Sequence, residues 1–536
     1  MTRRLSISLG MVAAGTALLV ASAVAGPAGE APKGGTLRIS LHADVDSVDP
    51  ALAYAAWSMP IGYATCAKLF NYPDAPGAAG TRVVPEVVDR FTVSQDRRTY
   101  TFTLKQTFRF HTGDRVVAQS FADAFNRVAQ PKLESPATPY MHEIVGASAV
   151  IDGKAGSISG IRVLGLYRLQ IRLTRPLGGF TARLTLPFFC PILPNTPIDT
   201  ALALPPGSGP YYVAERIVNQ RIVLRRNPYY RGTRKANVDG VVWTVDEPDA
   251  CRLAVEQNRI DYCGEFGQPD GAYRALAKKY GINRPGGRFF VNHQLATFFI
   301  AFNHDRPAFK GRGQIPLKKA INLAIDRPEL ARARGYLTGK PTDQILPPPF
   351  ARPATIYPLS GADPGAARRW LARAAYQPRE LVLYAFNLPR TVAMAQVLTL
   401  NLKQIGIDVQ VKYFDPYALF KKVGAPGEPF DLVQGGFFAD YADPAGFLVP
   451  LLGRGAGSGA NFDDPHVNRR IAALDRLTDD EARRKAWADL DVDLMRDNPP
   501  WAPILHEQSR VVVSRSLGCF LEHPFYHFDI AAACKR

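Results

Sequence analysis

Residues 380–441 read ELVLYAFNLPRTVAMAQVLTLNLKQIGIDVQVKYFDPYALFKKVGAPGEPFDLVQGGFFADY, and this stretch decides the fold. Glu380 to Phe386 is an apolar run of strand length, as expected of a strand buried on both faces. Thr391 to Ile405 follows, with Val392, Ala395, Leu398, Leu402 and Ile405 on one helical face and Gly406 as a stop signal. Ile407, Val409, Val411 and Tyr413 then alternate as a second strand. Asp415-Pro416 opens another helix through Leu419, Phe420 and Val423, and Phe430 to Phe438 forms a third strand that ends at Ala439-Asp440. A β-α-β-α-β series implies a parallel sheet with right-handed crossovers, so the fold class is α/β.

That order bears on function. In open parallel sheets ligands sit outside the carboxyl ends of the strands. The loop after the first strand is Asn387-Leu388-Pro389-Arg390, and the loop after the third is Asp440-Tyr441-Ala442-Asp443-Pro444. A cation and a carboxylate thus emerge at one end of one sheet, where they could grip the two ends of a zwitterion such as a short peptide. Arg390 and Asp440 could equally pair with each other or cap helices. Elsewhere, Thr36 to Leu41, Thr99 to Leu104 and Leu169 to Thr174 alternate in the manner of exposed-edge strands.

The chain has 536 residues, enough for about three or four units at ~150 residues per domain. Hydrophobic residues at 46% and charged residues at 21% exclude global disorder. The net charge of +17 permits nucleic acid, anionic lipid or an acidic ligand as partner and chooses none of them. Its basic doublets, such as Arg97-Arg98 and Arg225-Arg226, are scattered, which fits a solvated surface and no nucleic-acid motif.

Arg3 and Arg4 precede an apolar run from Leu5 to Val20, and Ala23-Val24-Ala25 is an A-x-A cleavage signal. Residues 1–25 therefore read as a signal peptide cut after Ala25, by either the general or the twin-arginine route. Its removal leaves +15 on 511 residues. No cysteine occurs before Cys66, so no lipid anchor is expected, and the location is periplasmic. In an oxidising compartment Cys66, Cys190, Cys251, Cys263, Cys519 and Cys534 are an even set of disulfide candidates. Cys251 and Cys263 are close in sequence, as are Cys519 and Cys534. That leaves Cys66 for Cys190, one connectivity of the fifteen that six cysteines allow.

A family resemblance runs from about Lys33 to the C-terminus. Lys33-Gly34-Gly35-Thr36-Leu37-Arg38 with Ser47-Val48-Asp49-Pro50, then Phe110-His111-Thr112-Gly113-Asp114 and Ser120 to Phe125, come in a characteristic order. Gly207-Ser208-Gly209-Pro210-Tyr211, Arg225 to Tyr230 (RRNPYY) and Lys319 to Arg327 (KAINLAIDR) continue it. The chain resembles the large extracytoplasmic solute-binding proteins of the oligopeptide, dipeptide and nickel class, family 5, which serve ABC importers. The resemblance implies two lobes joined by two crossing hinge strands, closing on ligand like a flytrap. Lobe I would comprise residues 26–298 with 506–536, including an inserted subdomain at about 63–187. Lobe II would span 299–505. It implies a monomer that delivers a peptide or peptide-like solute to permease subunits at the membrane, with no enzymatic activity and no cofactor or metal.

By the same resemblance Asp440 neutralises the ligand's α-ammonium and Arg390 takes its α-carboxylate, with Tyr441 beside them. Phe437 stands where the family often has tryptophan, which keeps an aromatic wall and removes the indole donor. Tyr54 and Trp57 are further wall candidates, although an ordinary core role fits them as well. A ligand enclosed between lobes loses its hydration, so each formal charge needs a partner. The same fold carrying chelated nickel, an opine, a sugar or an antibiotic is the alternative. A secreted hydrolase is remote, because no G-x-S-x-G elbow occurs and His506-Glu507 lacks a second histidine. His523 and His527 are expected to be structural, and the glycine-rich Gly455 to Ala460 a loop.

Overall fold

The computed structural model describes residues 34–41, 43–264, 268–452 and 459–536. The expected signal peptide and most of the glycine-rich loop lie outside the described residues. No helix among the described residues is long and apolar enough to cross a membrane.

The 380–441 series forms as read. Strands Glu380–Phe386, Asp408–Phe414 and Leu432–Phe438 alternate with helices Pro389–Lys403 and Pro416–Val423. Glu380–Phe386 lies in the middle and runs parallel to both others. Ala395, Leu398 and Leu402 point into a core against Leu381, Leu383 and Leu432. Gly406 adopts φ +84°, a left-handed turn that a side chain would strain, and so releases the chain from helix to strand.

These strands are one end of an 11-stranded sheet. From that end the order is 408–414, 380–386, 432–438, 289–302, 501–513, 262–263, 36–41, 240–245, 221–226 and 211–217, with 339–341 added to 501–513. Two long strands, Phe289–Phe302 and Trp501–Val513, run antiparallel side by side and connect the halves. Their register shifts between His293 and Thr297 and again between Phe298 and Phe299, so the ladder bends there. The expected lobe boundaries, 298/299 and 505/506, fall inside these two strands. A separate sheet of four strands, 88–93, 99–104, 168–172 and 161–165, lies within the range expected for the inserted subdomain.

The three strands expected at edges are interior. Thr36–Leu41 pairs in parallel with 240–245 on one side and 262–263 on the other. Thr99–Leu104 and Arg168–Arg172 each have two neighbours as well. Alternation reports that one face of a strand is wetter than the other, and it carries no information about its lateral neighbours.

Several residues that carry the family resemblance turn out to hold the frame. Buried Asp49 of the D-P turn accepts both guanidinium nitrogens of Arg127, at 2.9 and 2.6 Å, and the Leu202 amide. Asp326 caps the helix Arg327–Arg334 through the Glu329 amide, while Arg327 is fully buried and donates to Thr342, Pro503 and Asn322 carbonyls. The cysteines pair as Cys66–Cys190, Cys251–Cys263 and Cys519–Cys534.

Candidate ligand-binding cleft

The site grows out of the third strand of the series. Leu432–Phe438 is paired along its whole length with Phe289–Phe302, but with Glu380–Phe386 only at Leu432 and Val433. From Gln434 to Phe438 its second edge therefore has no strand partner among the described residues. A cavity of about 530 Å³ opens over this segment, within the ~300–1,000 Å³ common for ligand pockets. Phe299, Gly435 and Phe437 line it, together with Tyr54, Trp57 and Trp243. Gly435 is required here, because a Cβ on it would stand 2.7 Å from the Phe299 ring.

Asp440 follows two residues after the strand ends. It lines the cavity yet is only 8% exposed. The Tyr54 hydroxyl donates to its Oδ1 at 3.0 Å, and the Tyr140 hydroxyl stands beside the same carboxylate. Phe188 stacks against both tyrosine rings, at 6.2 and 6.1 Å between centroids, and fixes the pair. No lysine or arginine among the described residues forms an ion pair with Asp440. Burial outweighs the two hydroxyls and pushes its carboxyl up to about 6. The reciprocal effect raises both tyrosines, by burial first and by the Asp440 charge next. The result is a desolvated anion with two donors and room on one side, a seat for a cation that can also donate hydrogen bonds.

The other expected site residues divide. Trp57 lines the cavity, anchored by its indole N–H on the Asp44 carbonyl at 3.0 Å, and Phe437 lines it with an edge contact to Phe447. Tyr441 is buried behind the site, does not line the cavity, and its hydroxyl meets Arg183 at 3.4 Å. Arg390 neither lines the cavity nor pairs with Asp440. Its Nη2 donates to the Gln268 carbonyl at 2.6 Å and lies 3.8 Å from Asp270. The carboxyl end of a sheet is wide enough to send two loops to different neighbours, so a shared end did not mean a shared pocket. Asp443, in the same loop as Asp440, caps the helix Pro444–Leu448 and pairs with Arg483.

Tyr140, Trp243 and Phe299 were not legible as site residues. Trp243 and Phe299 sit in unremarkable apolar strands and Tyr140 in a mixed, proline-containing turn, and only the folded chain brings them to the site. His506 is structural, between the Thr297 and Thr342 hydroxyls at 2.9 Å each. His523 contacts the Pro73 carbonyl and stacks on Tyr526.

Replacing Tyr54 by Phe removes one donor that favours ionised Asp440. The carboxyl is expected to move further above 6, and a free-amine ligand to bind about 3- to 10-fold more weakly at neutral pH, in line with the ~1.5 kcal/mol of a hydrogen bond to a charged group. An unchanged pH dependence of binding in Tyr54→Phe would show that this contact does not tune Asp440.

Two lobes bridged by two long strands, with an acid and aromatic rings facing a cleft, define a solute-binding protein. Residues 82–459 match the model of the bacterial extracellular solute-binding proteins, family 5 Middle. The chain belongs to this family. It is 26% identical over 516 residues to the periplasmic murein peptide-binding protein MppA of Escherichia coli, covering 91% of this chain and 92% of that one. It is 23% identical over 427 residues to the periplasmic oligopeptide-binding protein OppA of Salmonella typhimurium, covering 76% of each. Among solved structures, the clavulanic acid biosynthesis oligopeptide binding protein 2 superposes with a TM-score of 0.85 at 24% identity, over 94% of this chain and 96% of that one.

Proposed function

We propose that this protein captures a short peptide or peptide-like solute by its N-terminal ammonium on Asp440 and delivers it to the membrane subunits of an ABC importer. The observation that carries the reading is the buried Asp440 carboxylate, facing the cavity with tyrosine donors and no cationic partner among the described residues. A buried anion without a counter-charge is costly to the empty protein, and a ligand ammonium offsets that cost. The edge of Gln434 to Phe438, without a strand partner among the described residues, can add a peptide backbone as a further strand, which gives affinity without reading side chains. The names of MppA and OppA support peptide as the cargo.

We further propose that residues 26–298 with 506–536 form lobe I and 299–505 lobe II. Tyr54 and Asp440 then stand on opposite lobes, and so do Gln268 and Arg390. Residues 1–25 act as a cleaved export signal, and the mature chain works in the periplasm.

Protons counted on binding test the ammonium contact. Near pH 6 about half of empty Asp440 holds a proton, so binding a free-amine tripeptide releases roughly half a proton. Near pH 8 Asp440 is ionised but the peptide amine, with a pKa near 7.7–8.0, is partly neutral and takes a proton up. Calorimetric titration in buffers of different ionisation enthalpy should show this change of sign, with affinity highest between the two values. An N-acetylated peptide should show neither effect. Proton exchange of one sign throughout would sink the pairing.

A further inference from the structure

Part of the positive charge that is scattered along the sequence is gathered by the fold on one surface. The four-stranded sheet of 88–93, 99–104, 168–172 and 161–165 buries one face, with Tyr100, Phe102, Leu104, Leu169 and Ile171 in the core. Side chains alternate along a strand, so the residues between these point outward. Arg90, Thr103 and Arg168 lie in register as one row across the outward face. Thr92, Thr101, Gln170 and Arg162 form the next row, and Thr99 with Arg172 a third. All four arginines are exposed. Two carboxylates stand at the border, Asp89 on Arg90 at 3.2 Å and Asp96 on Arg98 at 2.9 Å, so Arg162, Arg168 and Arg172 carry the surplus. Residues 63–187, the range that holds this sheet, have 16 Lys and Arg against 9 Asp and Glu.

We propose that this outward face docks on the anionic phospholipid surface of a membrane and holds the protein close to it. Cations that take one small anion converge on it, whereas these are spread over a plane. Strands stand about 4.8 Å apart and residues rise about 3.4 Å, which puts the backbones of Arg90 and Arg168 ~10 Å apart and those of Arg168 and Arg172 ~14 Å apart. Spread charges of this kind match a surface of phosphates, and each guanidinium can take two phosphate oxygens through its planar fork. At one end the face borders a hollow of about 810 Å³, with Thr99, Arg162, Gln170 and Arg172 among its walls, which offers room for a headgroup. A bilayer is also the surface against which the protein works on the function proposed above, and in that respect the choice of partner rests on that reading.

Co-sedimentation of the exported chain, residues 26–536, with vesicles decides it, using equal parts phosphatidylglycerol and phosphatidylcholine against phosphatidylcholine alone. The wild-type protein should bind the anionic vesicles at least tenfold tighter, and ~1 M salt, which screens within ~3 Å, should release it. Joint Arg90→Gln, Arg162→Gln, Arg168→Gln and Arg172→Gln should cost at least tenfold. The same change at Arg231, Arg259, Arg332 and Arg369, exposed elsewhere, removes an equal charge and should cost less than threefold. Arg→Lys at the four sheet positions should keep binding within about threefold of wild type, since the charge stays in place. Equal losses in the two glutamine variants would mean that net charge alone acts, and would overturn the proposal. So would vesicle binding that ignores phosphatidylglycerol, no binding at low salt, or tighter binding to soluble dextran sulfate, which would make a polyanionic chain the partner. Titration with a free-amine peptide separates this surface from the cleft. Peptide affinity should be the same in all variants, and its absence in the wild type would sink the cleft reading while vesicle binding still stands.

Discussion

Asp440→Asn is expected to weaken a free-amine peptide by roughly a hundredfold and, at the same time, to make the empty protein more stable. Removing one member of a buried ion pair costs about 2–5 kcal/mol, and Asn keeps the shape and one acceptor, which places the loss near ~3 kcal/mol. An N-acetylated peptide has no ammonium to lose and should change far less. Stability moves the other way because ionised Asp440 is desolvated. Its carboxyl is raised from 3.8 to about 6, and two units correspond to about 3 kcal/mol. The folded state holds this proton through a pH range where the unfolded chain has released it. Wild-type stability therefore falls as pH rises from about 4 to 6, and the full cost is present above that. Urea denaturation should find the variant ahead by a few kcal/mol at pH 8 and level with wild type near pH 4. A variant less stable than wild type at pH 8 would contradict a desolvated charge at this position.

Joint replacement of Cys66 and Cys190 by Ala should be the most destabilising of the three disulfide removals. The bond closes a separation of 124 residues, against 12 for Cys251–Cys263 and 15 for Cys519–Cys534. Loop-closure entropy assigns about 4–5 kcal/mol to the long loop and about 3 kcal/mol to each short one. The long bond also lies next to the site. Phe188, two residues before Cys190, stacks on the rings of Tyr54 and Tyr140 that seat Asp440. Its removal should therefore weaken a free-amine ligand several-fold. Denaturant midpoints together with ligand titrations of the three double variants measure both effects. Equal losses across the three would contradict the loop-length account.

The α/β series at 380–441 was legible because helix and strand periods alternate there without interruption, and Gly406 and Asp415-Pro416 mark the borders. The position of Asp440 at the cavity follows from the strand order, since the end of a parallel strand is where such sheets meet ligands, while its expected role came from the family resemblance. Arg390 shows the limit of that logic. Strand order says which end of a sheet a loop leaves from, but not which neighbour it reaches, and Gln268 and Asp270 lie more than a hundred residues away in sequence. Tyr140 and Phe188 were invisible because their role depends on a stack between rings drawn from three segments. The supposed edge strands failed for a related reason, as pairing partners are set by chain topology that a local pattern does not encode.

The Tyr54–Asp440 hydrogen bond also has a kinetic side. It ties residues that lie 386 positions apart in sequence and, on the proposed division, on opposite lobes. An empty protein that can hold itself shut must first open before cargo enters. Only the fraction of molecules caught open is then competent to bind, and the observed association rate falls below the diffusional value by that fraction. Capture speed is thereby set by how often the lobes part, a property of the protein that is the same for every ligand it carries.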